Sequence, residues 1–222
     1  MNEHVPATRG RHLNHVAWLY DPLVERLSFG RERRFRQKTI AWMTISPSDR
    51  ILDVGCGTGS LTLMLAQRID PSAGEVIGID AAPRMIAIAR RKAAKKRLAV
   101  RFKVGIAESL AFADKSFDWV VNSMFTHHID TELKEKAFAE MYRVLKPGGM
   151  LLTADIDRPT TLLAKLTGWG GRYLLMQPEL EDNLLGLLPD FMHRAGFRLV
   201  EKKEHVYGLV SFFTAKKPEV DR

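Results

Sequence analysis

A glycine-rich loop at 55–59, with the sequence Gly-Cys-Gly-Thr-Gly, lies between a short apolar run at 50–54 and a helical stretch at 60–68. Glycine lets the backbone turn sharply, and it lets a ligand approach the chain without meeting a Cβ. The helix that follows presents unpaired amides and the positive end of its dipole. This strand, loop and helix predict an α/β fold with a ligand site at the loop, with a tight turn that binds nothing as the alternative.

Strand and helix patterns alternate through the middle of the chain. The predicted strands lie at 50–54, 75–79, 100–104, 117–122 and 150–154, with predicted helices at 60–68, 84–97 and 132–145. Two further strands, at 197–205 and 209–215, are joined too tightly for a crossover helix and should form an antiparallel hairpin. Strands separated by helices imply a parallel sheet wound on both faces. The sequence therefore predicts an α/β, Rossmann-like doubly wound sheet of seven strands, mostly parallel, with a C-terminal antiparallel hairpin.

The length of 222 residues suits a single α/β domain spanning 1–222. Apolar residues at helical spacing predict an N-terminal helical cap at 1–45. The alternating core follows at 46–155. We expect an insertion on the substrate side at 156–188, and then a C-terminal helix and hairpin at 189–222.

The composition excludes several classes of protein. Hydrophobic residues make up 45% and charged residues 27%, which argues against a disordered chain. The net charge of +8 favours anionic partners: nucleic acid, acidic lipid headgroups or anionic metabolites. The single cysteine, Cys56, excludes an intramolecular disulfide and a Cys-rich zinc site, and no histidine spacing indicates a metal. Because no apolar run reaches the roughly 18 residues of a membrane span and no signal-peptide hydrophobic region is seen, we expect a cytoplasmic protein.

Two aspartates narrow the choice of ligand. Asp80 follows the second strand, where a carboxylate can accept two hydrogen bonds from a ribose. A dinucleotide fingerprint requires Gly-x-Gly-x-x-Gly, but Ser60 stands where its last glycine would be. Asp53, inside the first strand, would repel a phosphate and attract an ammonium group. S-adenosylmethionine satisfies these conditions, because it combines a ribose with an amino acid and carries no phosphate.

Four sequence motifs point to one enzyme superfamily. They are ILDVGCGTG at 51–59, GID at 78–80, AESLAF at 107–112 and LKPGG at 145–149. On these motifs the segment 50–155 resembles the class I S-adenosylmethionine-dependent methyltransferases. Within that superfamily the chain is most similar to the ubiquinone/menaquinone C-methyltransferases, on the sequences YDPL at 20–23, SFGR at 28–31 and MYRVLKPGG at 141–149.

The resemblance implies a set of cofactor contacts. The glycine loop and Asp53 would cradle the methionine part, Asp80 would hold the ribose, and Met85 would pack near the adenine. Many relatives carry Asp or Asn, which bonds the adenine amino group, where this chain has Ile106. This difference predicts an apolar adenine pocket in which that hydrogen bond is either absent or supplied by Glu108. The full implied set is Asp53, Gly55, Cys56, Gly57, Gly59, Asp80, Ala81, Met85, Ile106, Ala107, Glu108 and Ser123.

Methyl transfer depends mainly on positioning, often with a base that removes a proton from the acceptor. His127 and His128 follow the fourth strand and stand where the quinone-type relatives place Arg-Asn. An imidazole in general titrates near neutral pH, so either histidine would serve as the base, and His127 is preferred; capping and packing are the alternatives. Tyr20 is the third catalytic candidate, with packing as its alternative. Asp155 and Asp157, past the fifth strand, are expected to cap the following segment rather than contact a substrate.

Two surface features bear on partners. Basic residues crowd the helix at 84–97, which is typical of a solvated face, and no aromatics interleave with them as a nucleic-acid surface would require. A weak attraction to an anionic membrane is favoured over nucleic acid. Apolar residues between 158 and 188 would line an acceptor pocket under a mobile lid or touch a membrane, with core packing as the alternative: Leu162, Leu163, Leu166, Trp169, Leu174, Leu175 and Met176.

These observations predict transfer of a methyl group from S-adenosylmethionine, with S-adenosylhomocysteine as product, to a small apolar or lipid-like acceptor. A quinone precursor and a phospholipid headgroup both satisfy that description. The alternative is a non-catalytic sensor or assembly protein that binds S-adenosylmethionine, because the same cofactor motifs would serve it. The expected partner is a small-molecule acceptor and not nucleic acid. Peripheral contact with an anionic membrane is the further partner considered. The oligomeric state is left open between monomer and homodimer.

Overall fold

The computed structural model describes residues 31–174 and 176–219. Its helices are α1 Arg31–Ala41, α2 Ser60–Ala66, α3 Pro83–Lys96, α4 Thr131–Val144, α5 Leu162–Leu174, α6 Glu181–Leu185 and α7 Leu188–Arg194. Its strands are β1 Arg50–Val54, β2 Glu75–Asp80, β3 Arg101–Val104, β4 Phe117–Ser123, β5 Leu145–Ile156, β6 Arg198–Val206 and β7 Val210–Lys216. Short 3₁₀ turns lie at Thr126–His128 and Pro178–Leu180.

The described strands form one sheet in the order β3-β2-β1-β4-β5-β7-β6. Strands β1 to β5 pair in parallel, and β7 pairs antiparallel with both β5 and β6. The predicted Rossmann-like sheet with a C-terminal hairpin is therefore confirmed. The strand order reverses between β1 and β4, and ligands bind in such sheets in the crevice at the carboxyl ends of the strands around that point.

Helices cover both faces of the sheet. On one face, α4 buries Phe138 and Met141, and α7 buries Phe191. On the other face, Ile40 of α1 and Leu65 of α2 pack against the sheet. Because both faces are covered, the central strands read as nearly continuous apolar runs, and a carboxylate inside such a run is a costly exception.

Strand β5 is longer than the sequence predicted. It begins at Leu145 rather than at 150, because the Lys-Pro-Gly-Gly segment at 146–149 stays in the strand instead of forming a loop. The pairing of β5 with β4 shifts register between Phe117 and Trp119, which absorbs the irregular backbone. Gly148 has φ +78°, a left-handed conformation that glycine adopts without strain.

The predicted N-terminal cap is described only from residue 31 onward, where α1 packs on the sheet. Tyr20 and the rest of the segment before α1 lie outside the described residues, and the predicted division of the chain into four parts stays a prediction. Within 31–174 and 176–219, no helix combines the length and apolar character that crossing a bilayer requires.

Candidate functional site

A cavity of about 280 Å³ lies at the carboxyl edge of the sheet, between the glycine loop after β1, the segments after β2 and β3, the turn after β4, and α1. Most of the predicted site residues line it: Asp53, Gly55, Cys56, Gly57, Asp80, Ala81, Met85, Ile106, Ala107, Glu108, Ser123, His127 and His128. Gly59 does not line the cavity. These sequence-predicted residues therefore converge on one site, although they come from four separate segments of the chain.

Each of the three loop positions requires glycine for a different structural reason. Gly57 has φ +54°, and a Cβ built there would meet no heavy atom within 4 Å, so its open side faces the cavity. Gly55 has φ +72°, and a Cβ there would collide with the ring of Phe125. A Cβ on Gly59 would collide with Phe102 and Ala89, which explains why Gly59 serves helix packing and not the cavity. Gly57 is thus the position that leaves room for a ligand.

Asp80 connects the glycine loop to the start of α3. Its Oδ2 accepts a hydrogen bond from Gly57 N at 2.9 Å, and its Oδ1 accepts one from Ala82 N at 2.8 Å. A carboxylate offers about four acceptor positions, and these two bonds orient the group. The side chain is half-buried and lines the cavity.

The part of the cavity beyond Asp80 is mainly apolar. Met85, Ile106 and Ala107 are buried and contribute to its wall. An isolated bridge between Ile106 and Ser109 holds the segment after β3 as a tight turn. Glu108 lies in the same turn, is half-buried and also lines the cavity. This arrangement is suited to a flat, mostly apolar ring with one polar edge.

Asp53 is a carboxylate with 1% of its surface exposed, placed inside β1 at the floor of the cavity. Thr62 Oγ1 donates a hydrogen bond to its Oδ2 at 2.6 Å. Burial raises the pKa of Asp53 to about 7, although the hydrogen bond from Thr62 and the positive charge of Arg36 act in the opposite direction. A cation beside a buried carboxylate of raised pKa stabilises its ionised form, so the site is suited to a positively charged group.

Three residues of α1 complete the cavity and were not identified from the sequence: Glu32, Phe35 and Arg36. Glu32 and Arg36 form an ion pair one helical turn apart. Arg36 is the one permanent cation among the described lining residues, and its charge acts on Asp53. The spacing of 32, 35 and 36 marks one face of a helix, but that pattern alone does not say where the helix packs.

Asp155 is a fully buried carboxylate that organises the turn after β4. Its Oδ2 accepts hydrogen bonds from the Phe125 and Thr126 amides and from Thr126 Oγ1, at 2.6 to 2.9 Å. Its Oδ1 accepts from His127 Nδ1 at 2.6 Å and from Ile156 N at 2.7 Å. Burial raises the pKa of Asp155. The charge of His127 and the hydrogen bonds from His127 and Thr126 outweigh burial, and they hold the pKa of Asp155 near 2. Asp155 therefore caps the turn that follows the neighbouring strand β4. The sequence predicted instead that it would cap the segment after β5, and that prediction is wrong.

The bond to Asp155 defines the state of His127. Beside an ionised carboxylate, Nδ1 carries the proton in either charge state of the ring, so Nε2 is the nitrogen that accepts a proton when the ring is neutral. The side chain is 10% exposed and lines the cavity. His128 also lines the cavity, with its ring centroid 4.0 Å from that of His127. The structure thus distinguishes the two histidines, which the sequence alone did not.

Asp157 and the segment after β5 depart from expectation. Asp157 accepts a hydrogen bond from Ser211 Oγ at 2.6 Å and pairs with Lys202 Nζ at 2.6 Å, so it ties β5 to the terminal hairpin instead of capping the next segment. None of the described residues from 158 to 188 lines the cavity. The apolar side chains Leu162, Leu163, Leu166, Leu174 and Met176 are instead exposed, at 65 to 84%. The predicted acceptor lining by this segment is not seen in the described residues.

Comparisons with known proteins agree with this geometry. A family described as a methyltransferase domain matches residues 51–149. A demethylmenaquinone methyltransferase of Thermus thermophilus is 44% identical over 145 residues, covering 65% of this chain and 64% of that protein. An uncharacterized methyltransferase of Synechocystis is 31% identical over 206 residues, covering 90% of this chain and 91% of that protein.

A solved structure shares the fold. Phosphoethanolamine N-methyltransferase 2 of Haemonchus contortus, in complex with S-adenosyl-L-methionine, superposes with a TM-score of 0.65 at 21% identity. The superposition covers 84% of this chain and 52% of that one. The chain therefore spans about half of this structural neighbour and just under two thirds of the Thermus relative.

Proposed function

Because this chain belongs to the S-adenosylmethionine-dependent methyltransferases and shares their cofactor, we propose that it methylates a small aromatic acceptor of the quinone-precursor type. The observation that carries the proposal is the pair formed by His127 and Asp155 at the wall of the cavity. A hydroxylated ring becomes a far better carbon nucleophile when its hydroxyl loses a proton, and His127 is placed to take that proton. The name of the Thermus relative supports the same class of acceptor.

The residues at the cavity are suited to S-adenosylmethionine. The methionine part is a zwitterion, and the floor of the cavity offers one anion, Asp53, and one cation, Arg36. We assign the ammonium to Asp53 and the carboxylate to Arg36, the ribose hydroxyls to Asp80, and the adenine to the apolar turn that includes Ile106. The open side of Gly57 leaves space that a side chain would fill. When bound, the cofactor supplies an electrophilic methyl group.

His127 would act as a general base through Nε2. It removes a proton from the acceptor hydroxyl, and the imidazolium that results is stabilised by Asp155 at Nδ1. The five hydrogen bonds accepted by Asp155 keep its carboxylate in place while the ring changes charge. Phe35, Phe125 and Ile129 line the same cavity and exclude water from the reacting groups. His128 packs beside this base, with its ring centroid 4.0 Å from that of His127.

The methyl transfer itself is tested with the purified protein, S-adenosylmethionine and a prenylated naphthoquinol that lacks the ring methyl group. We expect one methyl group on the ring, found by mass spectrometry, and equimolar S-adenosylhomocysteine. A hydroxybenzoquinol, and phosphoethanolamine as a non-aromatic acceptor, serve as the comparison. Methylation of phosphoethanolamine alone would contradict the proposed acceptor class. Tight binding of S-adenosylhomocysteine with no turnover on any acceptor would favour the non-catalytic alternative.

The cofactor assignment has its own test. Asp80→Ala should weaken S-adenosylhomocysteine binding by about 1 to 3 kcal/mol, because charge-assisted hydrogen bonds are removed. Gly57→Val should weaken it further, since a branched side chain would occupy the space of the ligand and φ +54° strains such a residue. Both are measured by calorimetry, and unchanged affinity in Asp80→Ala would remove Asp80 from the site.

We also propose that the protein is cytoplasmic and that the surface of α5 makes peripheral contact with an anionic bilayer. Exposed leucines at 162, 163, 166 and 174 share the helix with Lys165 and Arg172, and α5 contains no acidic residue. An apolar helix face with cations beside it is suited to the interface of an anionic membrane, where a lipid-like acceptor would reside. Leu163→Gln with Leu166→Gln should reduce flotation with phosphatidylglycerol vesicles. Leu199→Gln, an equally exposed leucine on β6, is the control, and equal loss in both would contradict the assignment.

A further inference from the structure

A second concavity, of about 910 Å³, lies between α1, α2 and α3, and shares Glu32 and Arg36 with the lining of the cofactor cavity. We call it the basic groove. Its lining combines basic, apolar and small polar side chains: Glu32, Arg33, Arg36, Gln37, Ile40, Ser60, Leu63, Met64, Gln67, Arg68, Lys92 and Lys96. Five cations therefore converge on this groove from three helical segments, against one carboxylate.

Most of these positive charges have no acidic partner among the residues that the structure describes. Glu32 is already paired with Arg36. In the described parts of the chain, the side chains of Arg33, Arg68 and Lys96 make no hydrogen bond and no ion pair. Like charges that converge on one concavity repel one another and lower the stability of the fold, so this arrangement calls for an anion.

The groove also has a defined polar end. Lys92 Nζ donates hydrogen bonds to Ser60 Oγ at 2.6 Å and to Thr58 Oγ1 at 3.2 Å, which holds its ammonium group at the wall. Ile40 and Leu63 are buried beneath the cations and form an aliphatic floor. A charged rim above an aliphatic floor is suited to a phosphorylated group that carries an apolar chain.

From this geometry we propose that the basic groove binds a phosphate or diphosphate group, supplied either by a free phosphate ester or by a phospholipid headgroup. Arginine and lysine are the residues that bind phosphate oxygens most effectively. The described lining contains no aromatic side chain on which a nucleic-acid base would stack, which disfavours single-stranded RNA or DNA as the ligand. The pair of Glu32 and Arg36 borders both the groove and the cofactor cavity, so the anion would lie next to the cofactor site without entering it.

The test compares two triple variants of the full chain with the same change in charge. The groove variant is Arg33→Gln, Arg68→Gln and Lys96→Gln. The control variant is Arg34→Gln, Arg91→Gln and Lys95→Gln, which neutralises exposed cations on α1 and α3 that do not line the groove. Arg36 is left intact in both, because it also lines the cofactor cavity. The single variants Lys96→Gln and Lys95→Gln repeat the comparison with the smallest perturbation.

Pyrophosphate is the first probe, titrated by calorimetry at low ionic strength. We expect the groove variant to lose roughly tenfold or more in affinity and the control variant to stay within about twofold of the wild type. Pyrophosphate should also raise the melting temperature of the wild type and of the control variant, but not that of the groove variant. Affinity for S-adenosylhomocysteine should be unchanged in both, which separates this proposal from the cofactor assignment.

Vesicles identify the source of the phosphate. If phosphatidylglycerol vesicles bind, lose binding in the groove variant alone, and are displaced by pyrophosphate, the group is a lipid headgroup. If pyrophosphate binds at the groove but vesicle binding is equal in the two triple variants, the group belongs to a free phosphate ester. Equal loss of pyrophosphate affinity in both triple variants, no loss in either, or binding of an RNA oligonucleotide without pyrophosphate binding would each overturn the proposal.

Discussion

Asp53 in β1 and Asp155 in β5 are both buried aspartates near the carboxyl edge of the same sheet, but their charges are held in opposite ways. Burial raises the pKa of Asp53 to about 7, and Thr62 is the side chain that donates to its carboxylate. Burial acts on Asp155 in the same direction, but the charge of His127 and five hydrogen bonds keep its pKa near 2. The charge of His127 and the larger number of donors, and not the depth of burial, separate the pKa values of the two groups.

This difference indicates what each carboxylate is for. The charge of Asp155 is satisfied within the fold, so Asp155 holds the turn and positions His127. The charge of Asp53 is only partly compensated, and a cofactor ammonium would complete its environment. A buried group whose charge the fold compensates only in part is a candidate for ligand binding. A buried group whose charge is fully compensated is part of the scaffold.

The largest effect is expected at the group that Asp155 positions. His127→Gln should cut turnover by roughly a hundred- to ten-thousand-fold, because glutamine cannot accept the acceptor's proton. Affinity for S-adenosylhomocysteine should not change, because His127 is assigned to the acceptor and not to the cofactor. His128→Gln is the matched control and should cost stability more than rate. Near-normal turnover in both variants would show that neither histidine is the base.

The next effect concerns the scaffold. Asp155→Asn should lower the free energy of unfolding at pH 7 by about 2 to 4 kcal/mol, since a buried charge with five donors is removed. The pKa of Asp155 is depressed in the folded state, so its contribution is present above about pH 4 and is lost as pH falls towards 2. Urea titrations from pH 2 to 7 should therefore show less acid destabilisation in the variant than in the wild type. Asp190→Asn, at an exposed aspartate, is the control, and equal changes in both variants would contradict the assigned role.

The smallest effect is expected at Asp53, and it should have the opposite sign for stability. The folded-state pKa of Asp53 is raised, so the protein without ligand should lose stability as pH rises from about 4 to about 7. Asp53→Asn should remove that loss and leave the protein as stable as the wild type or more so at pH 7.

The same variant should weaken ligand binding. Affinity for S-adenosylhomocysteine should fall by about ten- to a hundredfold in Asp53→Asn, because the ammonium no longer has a charged partner. In the wild type this affinity should increase as pH rises through 7, and in the variant it should be flat across that range. If Asp53→Asn lowered the free energy of unfolding as much as Asp155→Asn, the distinction between the two carboxylates would be wrong.

Much of the cofactor half of the cavity was predictable because its signals are local. Short stretches of sequence encode the positive φ at Gly57, the carboxylate of Asp80 at the end of a strand, and the alternating strand and helix periods. They specify backbone conformation and the order of elements, and a doubly wound sheet then places strand ends together. The resemblance carried by the motifs between 51 and 149 pointed to the same ligand.

The pairs of distant side chains at the cavity were decided by tertiary structure. His127 and Asp155 are 28 residues apart and meet because β4 and β5 are neighbours in the sheet. The charge of Arg36 acts on Asp53 because α1 packs in the same core cluster as β1 and α2, and a helical period does not specify the surface on which a helix packs. The exposed apolar side chains of α5 have the helical spacing of a packed helix, yet they remain at the surface. The sequence by itself therefore determined the elements and the cofactor loop, while the pairs of distant side chains that set charge and proton position depended on how those elements pack.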